Sequence, residues 1–219
     1  MVEIILKKVD HSNAKINFDR IQQEKVKRLL RDNGLNTLSD LSKLKSFCYD
    51  QADGKCYHKH IKSFLIDAGI ETVWNAYKTI SPQETRNGSM VSFGLMYSRK
   101  RNKIMYPGDA YSGIEAGQII LLNLNLFANI LHLAVGHEIT EVNDSEKTIK
   151  ICYLQNGASM GTQLIQLKEN GSQTQVVHET WYRSGSLFRD KILYPRFHEK
   201  GLTGFHENVK YKIERYRLS

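Results

Sequence analysis

Cysteine is scarce in this 219-residue chain, which contains only three. Cys48, Cys56 and Cys152 cannot all pair with one another, and no two of them have the close spacing of a metal-binding pair. We therefore expect reduced thiols in a cytoplasmic protein. A Cys48–Cys56 bridge is the alternative in an oxidising compartment.

Long hydrophobic runs are also missing. The longest, Ile119–Leu126, is interrupted by Asn123 and Asn125 and is far shorter than the roughly 18–20 residues that span a bilayer. The apolar stretch within Met1–Lys8 has neither a basic lead nor a small-residue cleavage site, so no signal peptide is predicted. The chain is long enough for one well-buried domain with an extension.

Motifs for nucleophilic catalysis and nucleotide binding are missing too. The sequence has no Gly-x-Ser-x-Gly elbow, no serine or cysteine in a recognisable catalytic motif, and no glycine-rich phosphate loop ahead of a helix. Whether the protein is an enzyme stays open, because general acid–base catalysis in a closed pocket requires no motif. No cofactor is predicted.

Two histidines, His58 and His60, lie on one face of a predicted strand at a spacing that can chelate a metal. Zinc sites take three or four protein ligands, and no third ligand can be assigned from the sequence. The adjacent pairs His178-Glu179 and His198-Glu199 diverge on a strand and on a helix alike. We therefore predict no metal site.

Positive charge is in excess, with a formal net charge of +8 at pH 7. This charge makes nucleic acid, an anionic membrane or an acidic small molecule worth considering as a partner. The excess is spread along the chain except at one cluster, Arg99, Lys100, Arg101 and Lys103. We interpret the cluster as a solvated hairpin, with contact to phosphate or lipid headgroups as the alternative. Peripheral membrane contact stays open, whereas nucleic-acid binding is disfavoured.

Most of the chain has the composition of an antiparallel sheet. Its strand-length runs are rich in Ile, Leu, Val and Tyr and are separated by Asn, Gly and Asp. The predicted strands are Tyr57–Ile66, Ser89–Tyr97, Gln118–Phe127, Leu131–Val142, Lys147–Leu154, Thr162–Lys168 and Thr174–Arg183. A short helix is predicted over Ile70–Ile80, and an irregular loop over Lys103–Gly117.

From Ser186 the hydrophobic period changes from two to about 3.6, which predicts one long C-terminal helix. Pro195 should kink this helix or start it anew. Gly201 and Gly204 should loosen its middle. One apolar stripe follows the helix and consists of Phe188, Ile192, Phe197, Leu202, Phe205, Val209 and Ile213.

The first 56 residues differ from the rest and are predicted to form a helical extension. Phe18–Arg31, with Asn17 as its N-cap, suits a surface helix, and a second short helix is predicted over Leu38–Phe47. The apolar content is too small for an independent core, so we expect this arm to pack on the main domain, residues 57–219. The predicted class is α+β.

Several segments resemble the START-like helix-grip superfamily, which includes polyketide cyclases, lipid-transfer domains and the birch-pollen allergen. Asp67–Trp74 looks like its junction from first strand to first helix. Further short motifs are similar to an uncharacterised bacterial and plant family within it: Gly136-His137-Glu138-Ile139, Val142-Asn143-Asp144, Ile151-Cys152-Tyr153 and Tyr182-Arg183-Ser184. The resemblance implies a curved antiparallel sheet wrapped around a long C-terminal helix, with a cavity between them.

Candidate ligand-binding residues follow from which face of each strand they occupy. Strict alternation in Leu131–Val142 places His137 on an otherwise apolar face, where it could contact a ligand or be a hydrogen-bonded structural histidine. The alternative is that Gly136 marks a bulge that turns His137 outward. Tyr153 shares a face with Ile149 and Ile151, so its phenol should point inward.

The last predicted strand has mixed faces, with His178 on one and Trp181 on the other. This indicates either a polar cavity wall or a strand covered on both sides. Phe197 and Phe205 on the final helix could close the pocket or belong to the core.

We therefore predict that the protein binds a small, largely hydrophobic molecule, lipid-like or polyketide-like, between sheet and helix. The predicted ligand contacts are His137, Tyr153, His178, Trp181, Phe197 and Phe205. The alternatives are a cyclase- or hydrolase-type enzyme that uses the same pocket, and a basic protein that contacts anionic membrane or RNA through Arg99–Lys103.

Overall fold

The computed structural model describes residues 13–53, 57–86, 88, 90–126, 131–155, 157, 159–186, 190–191 and 194–218. Within these residues the chain forms nine β-strands and five α-helices. The strands are β1 (Ser46–Phe47), β2 (His58–Ile66), β3 (Val91–Ser98), β4 (Lys103–Met105), β5 (Gln118–Leu126), β6 (Leu131–Asn143), β7 (Thr148–Leu154), β8 (Met160–Asn170) and β9 (Gln173–Arg183). The helices are α1 (Glu24–Asp32), α2 (Leu38–Ser42), α3 (Ile70–Thr79), α4 (Pro82–Thr85) and α5 (Tyr194–Leu218).

All nine strands belong to one antiparallel sheet. Eight are ordered β2-β9-β8-β7-β6-β5-β3-β4, and β1 pairs with the end of β7. β9, the last strand before the long helix, therefore pairs with β2, the first strand of the main unit. The predicted α+β class, with an antiparallel sheet and a long C-terminal helix, is confirmed.

Several predicted boundaries differ from the structure. Asn17 caps a single 3-10 turn at Phe18–Arg20, and α1 starts only at Glu24. α2 ends at Ser42, because Phe47 pairs with Tyr153 in the sheet instead of continuing the helix. The stretch predicted as a loop from Lys103 begins with β4, which forms a hairpin with β3.

The long helix α5 begins at Tyr194, so Pro195 starts it in its first turn and does not kink it. Leu202, Val209 and Ile213 of the predicted stripe are buried. Phe127, Phe188 and Ile192 lie outside the described residues. Among the described helices, none combines the length and the apolar character that crossing a membrane requires.

The main core lies between α3, the C-terminal half of α5 and the inner face of the sheet. Trp74 and Tyr77 of α3 pack there with Val209 and Ile213 of α5. The Trp74 indole donates a hydrogen bond of 2.7 Å to Asp144 at the β6–β7 turn. Apolar packing thus holds the C-terminal half of α5 in place. Its N-terminal half lies over another part of the sheet.

The N-terminal arm covers the opposite, outer face of the sheet. Val26 and Leu30 of α1 are fully buried and belong to one apolar cluster with Ile119 and Leu121 of β5. Gly94 permits this contact, because a Cβ at that position would lie 2.9 Å from Val26 Cγ2. The arm therefore packs on the main sheet, whereas its assignment as an extension separate from residues 57–219 stays a prediction.

A disulfide joins Cys48 to Cys152. β1 pairs Phe47 with Tyr153, and the same antiparallel register, continued by one residue, sets Cys48 opposite Cys152. The prediction of reduced thiols is wrong for these two residues, and Cys56 lies outside the described residues. A stable disulfide is typical of oxidising compartments, so it counts against the predicted cytoplasmic location.

The basic cluster forms the β3–β4 turn, and two of its four charges have internal partners. Arg99 donates to Glu138 at 2.8 Å and to the backbone carbonyls of Ser42 and Leu44, which ties the arm to the sheet. Arg101 pairs with Glu115 at 3.0 Å. Of the four predicted anion contacts, Arg99 and Arg101 therefore have structural roles, because nearby acceptors already hold their guanidinium groups.

The substitution Arg99→Ala is expected to destabilise the protein by about 3 kcal/mol, because it leaves the buried Glu138 carboxylate without its cation. Lys100→Ala, at the exposed neighbouring position, should change the free energy of unfolding by less than about 0.5 kcal/mol. Urea unfolding of both variants checks this. Equal effects of the two substitutions would contradict the role assigned to Arg99.

Candidate functional site

A cavity lies between the inner face of the sheet and the N-terminal half of α5. Its volume is about 310 Å³, at the lower end of the range for small-molecule sites. Because side chains alternate along a strand, every second residue of β5 and β6 points into it. These residues are Leu122, Leu124 and Leu126 of β5 and Leu131, Leu133, Val135 and His137 of β6.

Helix α5 closes the cavity on the opposite side. Phe197, Gly201 and Leu202 line it from the helix, and Met90 lines it from the start of β3. A Cβ on Gly201 would lie 3.3 Å from the Met90 methyl group. The absence of a side chain at Gly201 therefore leaves room in the cavity, which explains a glycine inside a helix.

The polar lining groups lie among these apolar walls. They are Arg86, His137, Tyr153, Ser159, Gln163 and His198. The rings of His137 and Tyr153 meet edge to face, with centroids 4.9 Å apart, because the two residues are paired across β6 and β7. The cavity is thus largely apolar with a small set of polar groups, the usual character of a ligand site.

A chain of buried hydrogen bonds runs from the helices to Tyr153. Gln163 Nε2 donates to Tyr153 Oη at 2.9 Å, so its Oε1 accepts from His178 Nε2 at 3.1 Å. His178 Nδ1 then accepts from His206 Nε2 at 2.8 Å, and His206 Nδ1 accepts from the Tyr77 hydroxyl at 2.5 Å. Each imidazole uses one nitrogen as donor and the other as acceptor, which is the pattern of neutral histidine.

The histidines around the cavity are held in the neutral form. Burial lowers the pKa of His137 to about 3, and the positive charge of Arg86 adds to the effect. Burial likewise lowers the pKa of His206 to about 3. The pKa values of His178 and His198 are well below the ordinary value, again chiefly because of burial. At pH 7 these groups offer hydrogen bonds and no charge.

Arg86 is the cation of the site. Burial lowers its pKa from the ordinary value of arginine to about 10, while Tyr153 acts in the opposite direction. The guanidinium is therefore still charged at pH 7. It lies over the ring of Phe205, with 4.6 Å from Cζ to the ring centroid.

The predicted ligand contacts are only partly brought together. His137, Tyr153 and Phe197 line the cavity. His178 lies behind it and reaches Tyr153 through Gln163. His137 faces inward because the irregularity in β6 falls between Ile139 and Glu141, not at Gly136.

Two predicted contacts lie elsewhere. Trp181 is on the outer face of β9, where its ring stacks on Tyr49 with centroids 5.3 Å apart, so it faces away from the cavity. Phe205 packs against Tyr77 and under Arg86 without lining the cavity. We therefore leave Trp181 out of the candidate site and keep Phe205 only as the support of Arg86.

Sequence reasoning missed five polar residues of the site: Arg86, Ser159, Gln163, His198 and His206. A usable signal existed for His206, which follows Leu202 by four residues and precedes Val209 by three, and so shares the apolar face of α5. Arg86 follows the short helix α4, where no periodicity points to a cavity.

The pair His58 and His60 does not extend to a metal centre. Both histidines face α5, and the His60 ring lies 5.5 Å from that of His198. Across the described part of the chain, no group of three or more His, Cys, Asp or Glu side chains is arranged to hold a metal ion.

No protein-family model and no curated protein matches the chain. Solved structures do match it. Ara h 8.0201 matches with a TM-score of 0.53 and 7% identity, over 73% of this chain and 99% of that one. Major latex-like protein 151 of Panax ginseng matches with 0.50 and 11%, over 72% and 98%. Norcoclaurine synthase of Thalictrum flavum, in complex with dopamine and hydroxybenzaldehyde, matches with 0.55 and 11%, over 79% and 96%.

These matches cover nearly the whole of each solved chain. About a quarter of the present chain has no counterpart in them. The low identities limit the likeness to the fold. Similarity to the narrower bacterial and plant family stays a prediction. The sheet order, the position of α5 and these matches together show that the chain has the START-like helix-grip fold.

Proposed function

We propose that the protein binds a small, largely hydrophobic molecule in the cavity between β5, β6 and the N-terminal half of α5. The observation that carries the proposal is the cavity itself, which is walled by leucines and closed by Phe197 and Leu202. A space walled largely by leucines leaves those side chains without packing partners, and a ligand that fills it would supply the missing contacts.

The solved structures add support from their printed descriptions. The norcoclaurine synthase structure that matches this fold holds dopamine and hydroxybenzaldehyde, two small aromatic molecules. That protein and this one share 11% identity, so the ligands themselves do not transfer. The proposal for this chain is the coarser one, a small molecule in contact with apolar side chains.

Filling the cavity from α5 tests the proposal. Gly201→Met places three further heavy atoms beyond its Cβ into the space beside Met90, and it should reduce binding of an apolar fluorescent probe such as 1-anilinonaphthalene-8-sulfonate at least about tenfold. Gly204→Met is the matched control, because it is the same substitution three residues along the same helix, where a Cβ meets open space.

The control variant should bind the probe like the unmodified protein. Circular dichroism would check that both variants keep their fold. Unchanged probe binding in a folded Gly201→Met variant would contradict a ligand site in this cavity.

An enzyme that uses the same cavity is the second candidate, favoured by the contact between His137 and Tyr153. The low pKa of His137 makes it a weak base at neutral pH, so it would act there as a hydrogen-bonding group. His137→Ala, which removes the hydrogen-bonding group, would abolish turnover of a substrate if the protein is such an enzyme, and would only weaken binding if it is not.

The basic-surface alternative is weakened by the internal partners of Arg99 and Arg101. The other two cations of the cluster, Lys100 and Lys103, are exposed. Two lysines carry little positive charge with which to bind an anionic membrane.

A further inference from the structure

Arg86 occupies a fixed position at the cavity. It directly follows α4, whose start is held by a capping box between Ser81 and Glu84. The end of α4 is tied to α5, since Asn208 donates a hydrogen bond of 3.0 Å to the Thr85 carbonyl. The residue therefore belongs to a supported segment, and its side chain lines the cavity because the backbone is placed there.

No acidic side chain that the structure describes forms an ion pair with Arg86. Within the described residues Arg86 makes no hydrogen bond and no ion pair, and its one specific contact is the face of Phe205. The groups that act on it electrostatically are neutral histidines and Tyr153. The nearest carboxylate along the chain, Glu84, is engaged by Ser81 and Lys212.

Three other arginines of the chain have carboxylate partners. Arg20 pairs with Asp109 at 2.6 Å, Arg99 with Glu138 at 2.8 Å and Arg101 with Glu115 at 3.0 Å. Arg20 and Arg101 are exposed, and Arg99 is half-buried, as Arg86 is. Arg86 differs because it lines a largely apolar cavity and has no carboxylate partner among the described residues, and an unpaired charge in such surroundings is costly.

We propose that Arg86 binds the carboxylate of an amphipathic acid whose apolar body lies against the leucines of β5 and β6. This inference rests on the proposed function and specifies the class of its ligand. A guanidinium and a carboxylate match in shape through two parallel hydrogen bonds. One arginine balances one negative charge, which favours a carboxylate over a phosphate dianion.

The polar groups beside Arg86 suit such a headgroup. Gln163 and Ser159 also line the cavity and can offer hydrogen bonds. The hydrogen-bond chain that ends on Tyr153 holds Gln163 in place. Apart from His137, Tyr153 and His198, the remaining walls are apolar, so a ligand would be charged at one end only.

Binding of decanoate and of 1-decanol, measured by isothermal titration calorimetry, tests the proposal. The two probes have the same chain length and differ in the headgroup charge. The unmodified protein should bind decanoate about ten- to a hundredfold more tightly than 1-decanol. Arg86→Met should abolish this preference while 1-decanol binding stays within about threefold.

Two control variants and a third probe sharpen the result. Lys100→Met removes one exposed positive charge and should leave the preference for decanoate unchanged. Arg86→Lys should retain part of it, because the charge stays and the paired hydrogen bonds are lost. Decyl phosphate should bind more weakly than decanoate.

The failures are distinguishable. Equal binding of decanoate and 1-decanol to the unmodified protein, or tighter binding of decyl phosphate, would overturn the role of Arg86 and leave the apolar site intact. Binding of neither decanoate nor 1-decanol would overturn the proposed function and this inference with it.

Discussion

Acidification from about pH 7 to about pH 4.5 is expected to unfold the ligand-free protein. In the folded chain the pKa of His137 and that of His206 are about 3, so both side chains stay neutral down to about that pH. In an unfolded chain histidine is protonated near pH 6.5. Below that pH the unfolded state therefore binds more protons than the folded state. Their stabilising contribution is complete above pH 6.5 and decreases as the pH falls toward 3.

The size of this effect is large compared with the stability of an ordinary domain. Each such histidine lowers the free energy of unfolding by about 1.4 kcal/mol per pH unit in this window. His137 and His206 alone would thus remove about 5 kcal/mol over two pH units, and His178 and His198 act in the same direction. Total stabilities are typically about 5–15 kcal/mol.

Urea unfolding at a series of pH values, followed by circular dichroism, measures this slope. His206→Gln removes one group that protonates on unfolding and should reduce the slope by up to about 1.4 kcal/mol per pH unit. His132→Gln, outside the buried cluster and on the outer face of β6, is the control for replacing a histidine. Stability that stays constant from pH 7 to about pH 4.5 would contradict burial of neutral histidines.

Replacement of Arg86 by methionine is expected to stabilise the ligand-free protein by up to about 3 kcal/mol. The fall of its pKa from the ordinary arginine value to about 10 corresponds to that free-energy cost of keeping the charge in the cavity. Methionine retains a flexible chain of similar reach and can pack against Phe205. Most substitutions of half-buried residues destabilise, so the sign of this effect is informative.

Thermal or urea unfolding of Arg86→Met checks the sign without any ligand. The companion variant Arg99→Met removes an arginine that has a carboxylate partner and should destabilise the protein. A loss of stability in Arg86→Met comparable with that in Arg99→Met would show that Arg86 has a structural partner. That result would contradict the proposal that Arg86 binds the carboxylate of a ligand.

Periodicity was enough to predict the parts of the fold that bury one face of an element. The alternation in β6 placed His137 with Leu133 and Val135, and the 3.6-residue period placed Leu202, Val209 and Ile213 on the inner face of α5. These signals are local, because the side chain that faces the core is set by the element's own period.

Features that depend on pairing between distant segments could not be read from the sequence. The Cys48–Cys152 bridge follows from the short strand β1 joining the end of β7, a contact across 104 residues. Trp181 was assigned to the ligand because both faces of β9 are mixed in polarity, so the pattern does not say which face is inward. Arg86 reaches the cavity only through the placement of α4 against α5.

The most direct test of the ligand site is a titration of isotope-labelled protein with decanoate, followed by backbone amide chemical shifts. We expect the largest shifts on residues that line the cavity, such as Leu133, Val135 and Gly201. The outer-face residues Tyr49 and Trp181 serve as the internal reference, and their signals should change little. Largest shifts on that outer face, or no shifts at saturating decanoate, would contradict a ligand site between the sheet and α5.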